Sequence, residues 1–279
     1  MERRAFLGLV PAALAACQTE RRTPGAGTRI VSLSPGITDA LFAIGAGSLL
    51  VARSDYCDYP PEVARLPRVG TSITPSYEAI ARLDPTLIVS EDNAAARRRE
   101  LEALAPTLLL KWLSLGEVSR GIRELGKVTA RAPNADALAE RLERRLGIRA
   151  PEVAPKILLV IGSDTGRLDE IWFIRKNSLQ GAALHAAGAK NAIDEDVAGQ
   201  PRLSLERLVA LDPDGIIVLT VKQGEGGADL APYRKLTTLR AVQSDKLASL
   251  AAPEAYVNGP RVLALVERLS PIVEKWKAP

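Results

Sequence analysis

The sequence is poor in the side chains that build catalytic and metal centres. It holds one histidine and two cysteines in 279 residues. One imidazole cannot assemble the multi-histidine sites that hold bare zinc or manganese. That residue, His185, also ends the apolar run Leu179-Gln180-Gly181-Ala182-Ala183-Leu184, which suits packing better than ligation. No Gly-x-Gly-x-x-Gly follows a strand-like run, and no Walker-type Gly-Lys-Ser/Thr or Gly-x-Ser-x-Gly elbow is present. The residues around Gly224 to Gly227 carry Glu225, whose charge would repel phosphate. The net charge is only +4, and basic clusters such as Arg97-Arg98-Arg99 read as solvated helix faces rather than a nucleic-acid surface. These absences exclude most hydrolase, nucleotide-binding and nucleic-acid classes. They leave a globular composition, 47% hydrophobic and 25% charged, with no catalytic residue, no protein-held metal and no resident cofactor expected.

No apolar run is long enough to cross a bilayer, which takes roughly 20 residues. What stands at the start is shorter. Arg3 and Arg4 precede an apolar run over residues 5–16 that ends in Leu14-Ala15-Ala16-Cys17. Positive charge, about a dozen apolar residues and small residues before a cleavage point form a secretory signal. Leu-Ala-Ala-Cys matches the lipobox of bacterial lipoproteins, so Cys17 is expected to become the first mature residue and to carry lipid. Arg3-Arg4-Ala5-Phe6-Leu7 resembles a twin-arginine signal, which leaves general and twin-arginine export both open. With Cys17 lipidated, Cys57 has no intramolecular disulfide partner. Residues 18–28, with Pro24, Gly25 and Gly27, read as a flexible tether.

From Arg29 the pattern alternates strand and helix, predicting an α/β fold with mainly parallel sheets. Strand-like runs at 29–34, 49–53, 86–90 and 107–112 alternate with helical patterns at 37–44, from Pro75, and at 94–105. A second series follows: strand 156–162, helix 178–187, helix 204–211, strand 215–220. One segment occurs twice. Ser76-Tyr77-Glu78 leads to Leu83-Asp84-Pro85 and an apolar strand; Ser204-Leu205-Glu206 leads to Leu211-Asp212-Pro213 and another. In each, a serine is placed to cap the helix, an acid faces its positive end, and a proline closes it. The repetition implies two related, Rossmann-like lobes, 29–113 and 151–279, joined by a helical linker, 114–150, interrupted at Pro133-Asn134.

Such lobes form a cleft at the carboxyl ends of their strands, where open α/β sheets hold ligands. Ser34, Pro35, Tyr56 and Trp112 fall there in the first lobe; Trp172, Arg202 and Tyr256 have comparable places in the second. Tyrosine and tryptophan offer flat apolar faces with a polar tip, suited to a large ring. Each could equally pack beneath its own loop.

The lipobox, the segment 29–47, the run Asp55-Tyr56-Cys57-Asp58-Tyr59-Pro60-Pro61 through Gly70, the twin glutamate helices and Asn258-Gly259-Pro260-Arg261 together resemble the periplasmic binding proteins of ABC importers for cobalamin, haem and ferric siderophores. The resemblance covers nearly all of the mature chain, and the Asp55–Pro61 segment is most similar to the cobalamin branch. Ser72 and Gln200 stand where corrinoid binders often have tryptophan. The resemblance implies two α/β lobes joined by a single long helix, a monomer when free, and a pre-chelated metal cargo. It also implies an extracytoplasmic protein anchored to a membrane through Cys17 and docked on an inner-membrane permease dimer through Glu78 and Glu206. Cobalamin is the first expected cargo, with ferric siderophore or haem as the alternative. A two-lobed enzyme acting on a metal chelate is the alternative from another class.

Overall fold

The alternation of strands and helices is realised as two sheets in the computed structural model, which describes residues 27–161, 168, 170–197, 201–221 and 229–277. The expected signal, Cys17 and most of the tether lie outside the described residues.

The first lobe runs β1 (Ile30–Ser32), α1 (Pro35–Ala43), β2 (Leu50–Arg53), α2 (Tyr77–Arg82), β3 (Leu87–Glu91), α3 (Arg98–Glu102) and β4 (Thr107–Leu110). Its strands are all parallel, in the order β2-β1-β3-β4. Two helices follow, α4 (Leu115–Val128) and α5 (Ala132–Leu146). The second lobe contains β5 (Lys156–Ile161), β6 (Ile171–Phe173), α6 (Leu179–Ala186), β7 (Lys190–Asn191), β8 (Arg202–Leu203), α7 (Leu205–Leu211) and β9 (Gly215–Thr220). It ends with α8 (Ala231–Arg234), α9 (Arg240–Gln243), β10 (Leu247–Ala251) and α10 (Val262–Lys277). Its sheet order is β10-β9-β5-β6-β8, with β7 also on β5. Here β5, β7, β9 and β10 are parallel, whereas β6 and β8 are antiparallel to their neighbours.

The linker differs from the expected single helix. It is a packed pair, α4 and α5, broken at 129–131, where Ala130 adopts φ 55°. Pro133 does not interrupt anything; it sits in the first turn of α5, where its missing N–H costs no helix bond. The pair packs closely because Gly126 faces Ala135, and a Cβ at 126 would collide with the Ala135 methyl.

Strand side chains alternate between layers, as a period of two requires. Ile30, Ile157, Leu159, Ile217 and Leu219 enter one apolar cluster that also takes in Ile37, Ile122, Leu142, Leu184 and Leu269. Val31 and Ile88 point into a second cluster beneath α2, and Leu158, Val160, Ile216 and Val218 into a third. The first cluster draws on both lobes and both linker helices. Prising the lobes apart would expose it, at about 25 cal/mol per Å² of apolar surface, so large opening motions are opposed.

The repeated segment keeps its backbone as well as its sequence. Asp84 and Asp212 both take the left-handed conformation at the helix exit, φ 43° and 41°. The capping serines differ. The Ser204 hydroxyl accepts from Arg207 N–H at 3.3 Å, whereas Ser76 makes no side-chain cap bond, and α2 is held at this end by the backbone alone.

Candidate functional site

Because β2, β1 and β3 are adjacent and parallel, their carboxyl ends lie side by side and place three loops on one rim. Ser34, after β1, is the N-cap of α1 and accepts from Ile37 N–H at 3.4 Å. Its hydroxyl donates to Glu91 Oε1, at the end of β3, at 2.6 Å. Burial raises the Glu91 carboxyl above its ordinary range, against the opposing effect of the Ser34 bond. After β2, Tyr56 stands 72% exposed. Its loop is held from below: Cys57 is buried with Sγ 3.1 Å from Thr38 Oγ1, and Arg53 Nη1 donates to Cys57 O at 2.7 Å. The tyrosine therefore projects from a fixed base, and Pro35 opens α1 after Ser34.

Strand register builds the corresponding edge of the second lobe. Ile161, at the end of β5, is opposite Trp172 of β6, and Trp172 is opposite Arg202 of β8. On the other side Ile161 is opposite Leu219, whose carbonyl accepts from the Tyr256 hydroxyl at 2.8 Å. Arg202 and Trp172 thus share one row, and the Tyr256 hydroxyl reaches β9 on the far side of β5. The Arg202 guanidinium lies 4.9 Å from the centre of the Trp172 ring and 2.7 Å from Glu170.

The lobes meet at Trp112 and Asn258. Trp112 Nε1–H donates to Asn258 O. A Cβ at Gly36 would strike that same carbonyl, and one at Gly121 would strike the indole, so both glycines are needed for the ring to seat. Ser34 and Tyr256 each lie two residues from this contact, which places them at one junction. Trp112 itself is 2% exposed; the structure puts it in the joint between lobes rather than on an open rim, because its flat ring fills the slot the two glycines leave. Beside it, Arg261 Nε lies 3.2 Å from the buried Asp39 carboxylate and its guanidinium 4.1 Å from the Tyr59 ring centre. Burial raises the Asp39 carboxyl, and Arg261 pulls it partly back. A hollow of about 910 Å³ includes Asp39, Tyr59, Arg141, Arg261 and Glu267 but none of the expected rim side chains, so volume alone does not mark the ligand face.

Glu78 and Glu206 are exposed on the first turns of α2 and α7. Glu78 pairs with Arg82 at 2.5 Å. The Glu206 carboxyl is held below its ordinary range by its own backbone N–H and the Ser204 hydroxyl. Of the two tryptophan-replacing residues, Ser72 is half-buried and Gln200 lies outside the described residues. His185 is on α6, and burial lowers its pKa. Among the described residues no group of three or more His, Cys, Asp or Glu could hold a metal ion, and no helix is long and apolar enough to cross a membrane.

Sequence reasoning missed Glu91, Glu170 and the Asp39–Arg261 pair. Glu91 was findable: it ends an apolar strand run, the same criterion that singled out Ser34. Asp39 was not, because nothing in an amphipathic helix marks which acid will meet an arginine 222 positions away.

Comparison with known proteins gives a consistent result. A family model described as periplasmic binding protein matches residues 30–253. A vitamin B12-binding protein of Vibrio cholerae is 26% identical over 268 residues, 95% of this chain and 93% of that one. Among solved structures, the periplasmic vitamin B12 binding protein BtuF of Vibrio cholerae superposes with a TM-score of 0.70 at 23% identity, covering 90% of this chain and 98% of that one. The periplasmic haem binding protein HutB of the same species superposes with a TM-score of 0.72 at 21% identity, covering 88% and 98%.

Proposed function

This chain belongs to the periplasmic binding protein family, and from that premise we propose that it is the substrate-binding component of an ABC importer. It captures cobalamin or a related corrinoid between its lobes and delivers it to a permease dimer in the inner membrane. The observation that carries the cargo site is a pair of rims: Tyr56 projects from a braced loop on one lobe, and Trp172 and Arg202 share a register row on the other, with the Tyr256 hydroxyl bonded to β9. Aromatic faces on opposing rims suit a large flat ring, which gains about 0.5–1.5 kcal/mol per aromatic contact beyond the area buried. The vitamin B12-binding relative supports the corrin reading. The ligand arrives with its metal already chelated, in keeping with a sequence whose single histidine cannot build a site for a bare metal ion.

The second reading, haem or a ferric siderophore in the same cleft, is favoured by one observation: the Arg202 guanidinium lies on the rim and could pair with a ligand carboxylate. In either case the protein binds its cargo without transforming it. It works as a monomer outside the cytoplasm, anchored by lipid on Cys17, with Glu78 and Glu206 meeting the permease.

The test is a binding panel on protein lacking its signal, with cyanocobalamin, haemin and several ferric siderophores. Cyanocobalamin is expected to co-elute unchanged at one per chain. Retention of haemin or a siderophore with no retention of the corrin would replace the first reading by the second. A chemically altered ligand would point to an enzyme.

A further inference from the structure

We infer that Glu91 is a specificity-determining residue of the cleft, selecting a cargo whose periphery offers hydrogen-bond donors over one that presents carboxylates. This rests on the cleft reading above and deepens it.

Four observations converge on Glu91. It ends β3, between the β1 and β4 ends in the sheet, on the same rim as Ser34 and Tyr56. By strand alternation it shares a face with Val89, which belongs to the cluster linking the two lobes, whereas Ile88 serves the cluster beneath α2. The carboxyl therefore stands at the cleft end of the inter-lobe core. Its one hydrogen bond among the described residues is to Oε1, from Ser34. Oε2 is left to accept from, or when protonated donate to, a ligand group.

The charge acting on Glu91 is Asp92, of the same sign. Among the described residues no cation offsets it there, and burial already disfavours its ionised form. A ligand carboxylate brought against it would add a second like charge in a partly desolvated place. Amide N–H groups, such as those around a corrin, would instead satisfy the free oxygen. The Ser34 bond fixes the carboxyl so that it cannot swing away, and Ser34 is itself fixed as the cap of α1.

The experiment measures affinities within ligand pairs that differ only at the periphery: cobyrinic acid against its heptaamide, in which every side-chain carboxylic acid is an amide, and haemin against its dimethyl ester. Wild-type protein is expected to prefer the uncharged member of a pair by roughly tenfold or more. Glu91→Gln keeps the shape and the Ser34 contact while removing the charge, so it is expected to reduce that preference to about threefold or less. A carboxylate-bearing member bound as well as its neutral partner, or a preference unchanged by Glu91→Gln, would overturn the inference while leaving the cargo reading intact. If neither corrin binds, the cobalamin reading falls and the haemin pair decides this inference alone. If no member of either pair binds, both fall.

Discussion

Arg261 Nε lies 3.2 Å from Asp39 Oδ2, joining the entrance of α10 to the middle of α1 across 222 positions of sequence. With the Trp112–Asn258 bond beside it, this pair makes the joint between lobes both polar-locked and apolar-filled. Trp112 is sealed in this joint whereas Tyr56 stands exposed, so substitutions of the two should divide between stability and binding. Trp112→Ala would leave a void between Gly36 and Gly121 and is expected to cost about 3–5 kcal/mol. Tyr56→Ala, at an exposed position, should stay within roughly 0.5 kcal/mol of wild type. Urea unfolding of the two variants is the check; equal destabilisation would contradict the division.

Protonation of Glu91 should be visible in stability against pH. Its folded-state pKa is raised above the ordinary 4.5 by burial. Its contribution is thus fully present below the unfolded pKa and lost as pH rises through the folded one. Glu91→Gln lacks this dependence. The stability of wild type minus that of Glu91→Gln should therefore fall as pH rises from below the ordinary carboxylate range through the raised folded-state pKa. Thermal unfolding of both proteins across that range gives the answer, and a difference that grows with pH would show the opposite shift.

Glu78 and Glu206 present carboxylates at matching points of a repeated unit, which is what a twofold permease could grip at two places at once. Breaking the Glu78–Arg82 pair to dock costs little, because an exposed pair is worth only about 0–1 kcal/mol. Glu78→Ala combined with Glu206→Ala should leave ligand affinity within about twofold while truncation of interface charges weakens permease binding by roughly 2–5 kcal/mol. The wild-type association should also weaken with added salt. Loss of ligand affinity with normal uptake per bound ligand would place these acids in the cargo site instead.

Lipidation is tested by fractionation. Wild-type protein should be found in membranes with Cys17 as its first residue, and Cys17→Ser should yield precursor or unanchored protein. A wild-type protein that is wholly soluble and retains Met1 would exclude the anchor.

The sequence made the fold legible wherever a local pattern carried it. The duplicated Ser-x-Glu helices, closed before Pro85 and Pro213, and the central strands follow from periodicity and turn chemistry. The short strands β6, β7 and β8 do not, since two or three residues hold no period and are defined only by the partner they meet. The helix α10 carried a readable stripe in Val262, Val266, Leu269, Val273 and Trp276, obscured by Pro271 in its middle. At the site, residue type identified aromatics but not their surroundings. Trp112 and Tyr56 look alike as strand-end aromatics; only Gly36, Gly121 and Asn258, distant in sequence, decide that one is sealed in the joint and the other left open.

The central claim is that a ring ligand is held between the Tyr56 rim and the Trp172 rim. Calorimetric titration of cyanocobalamin into wild type and into the Tyr56→Ala, Trp172→Ala double variant tests it most directly, with unfolding curves confirming that both are folded. Each lost aromatic contact is worth about 0.5–1.5 kcal/mol beyond area, so the double variant should bind roughly tenfold more weakly or worse, with one ligand per chain in the wild type. Undiminished affinity in a folded double variant would contradict the account and move the ligand away from these rims.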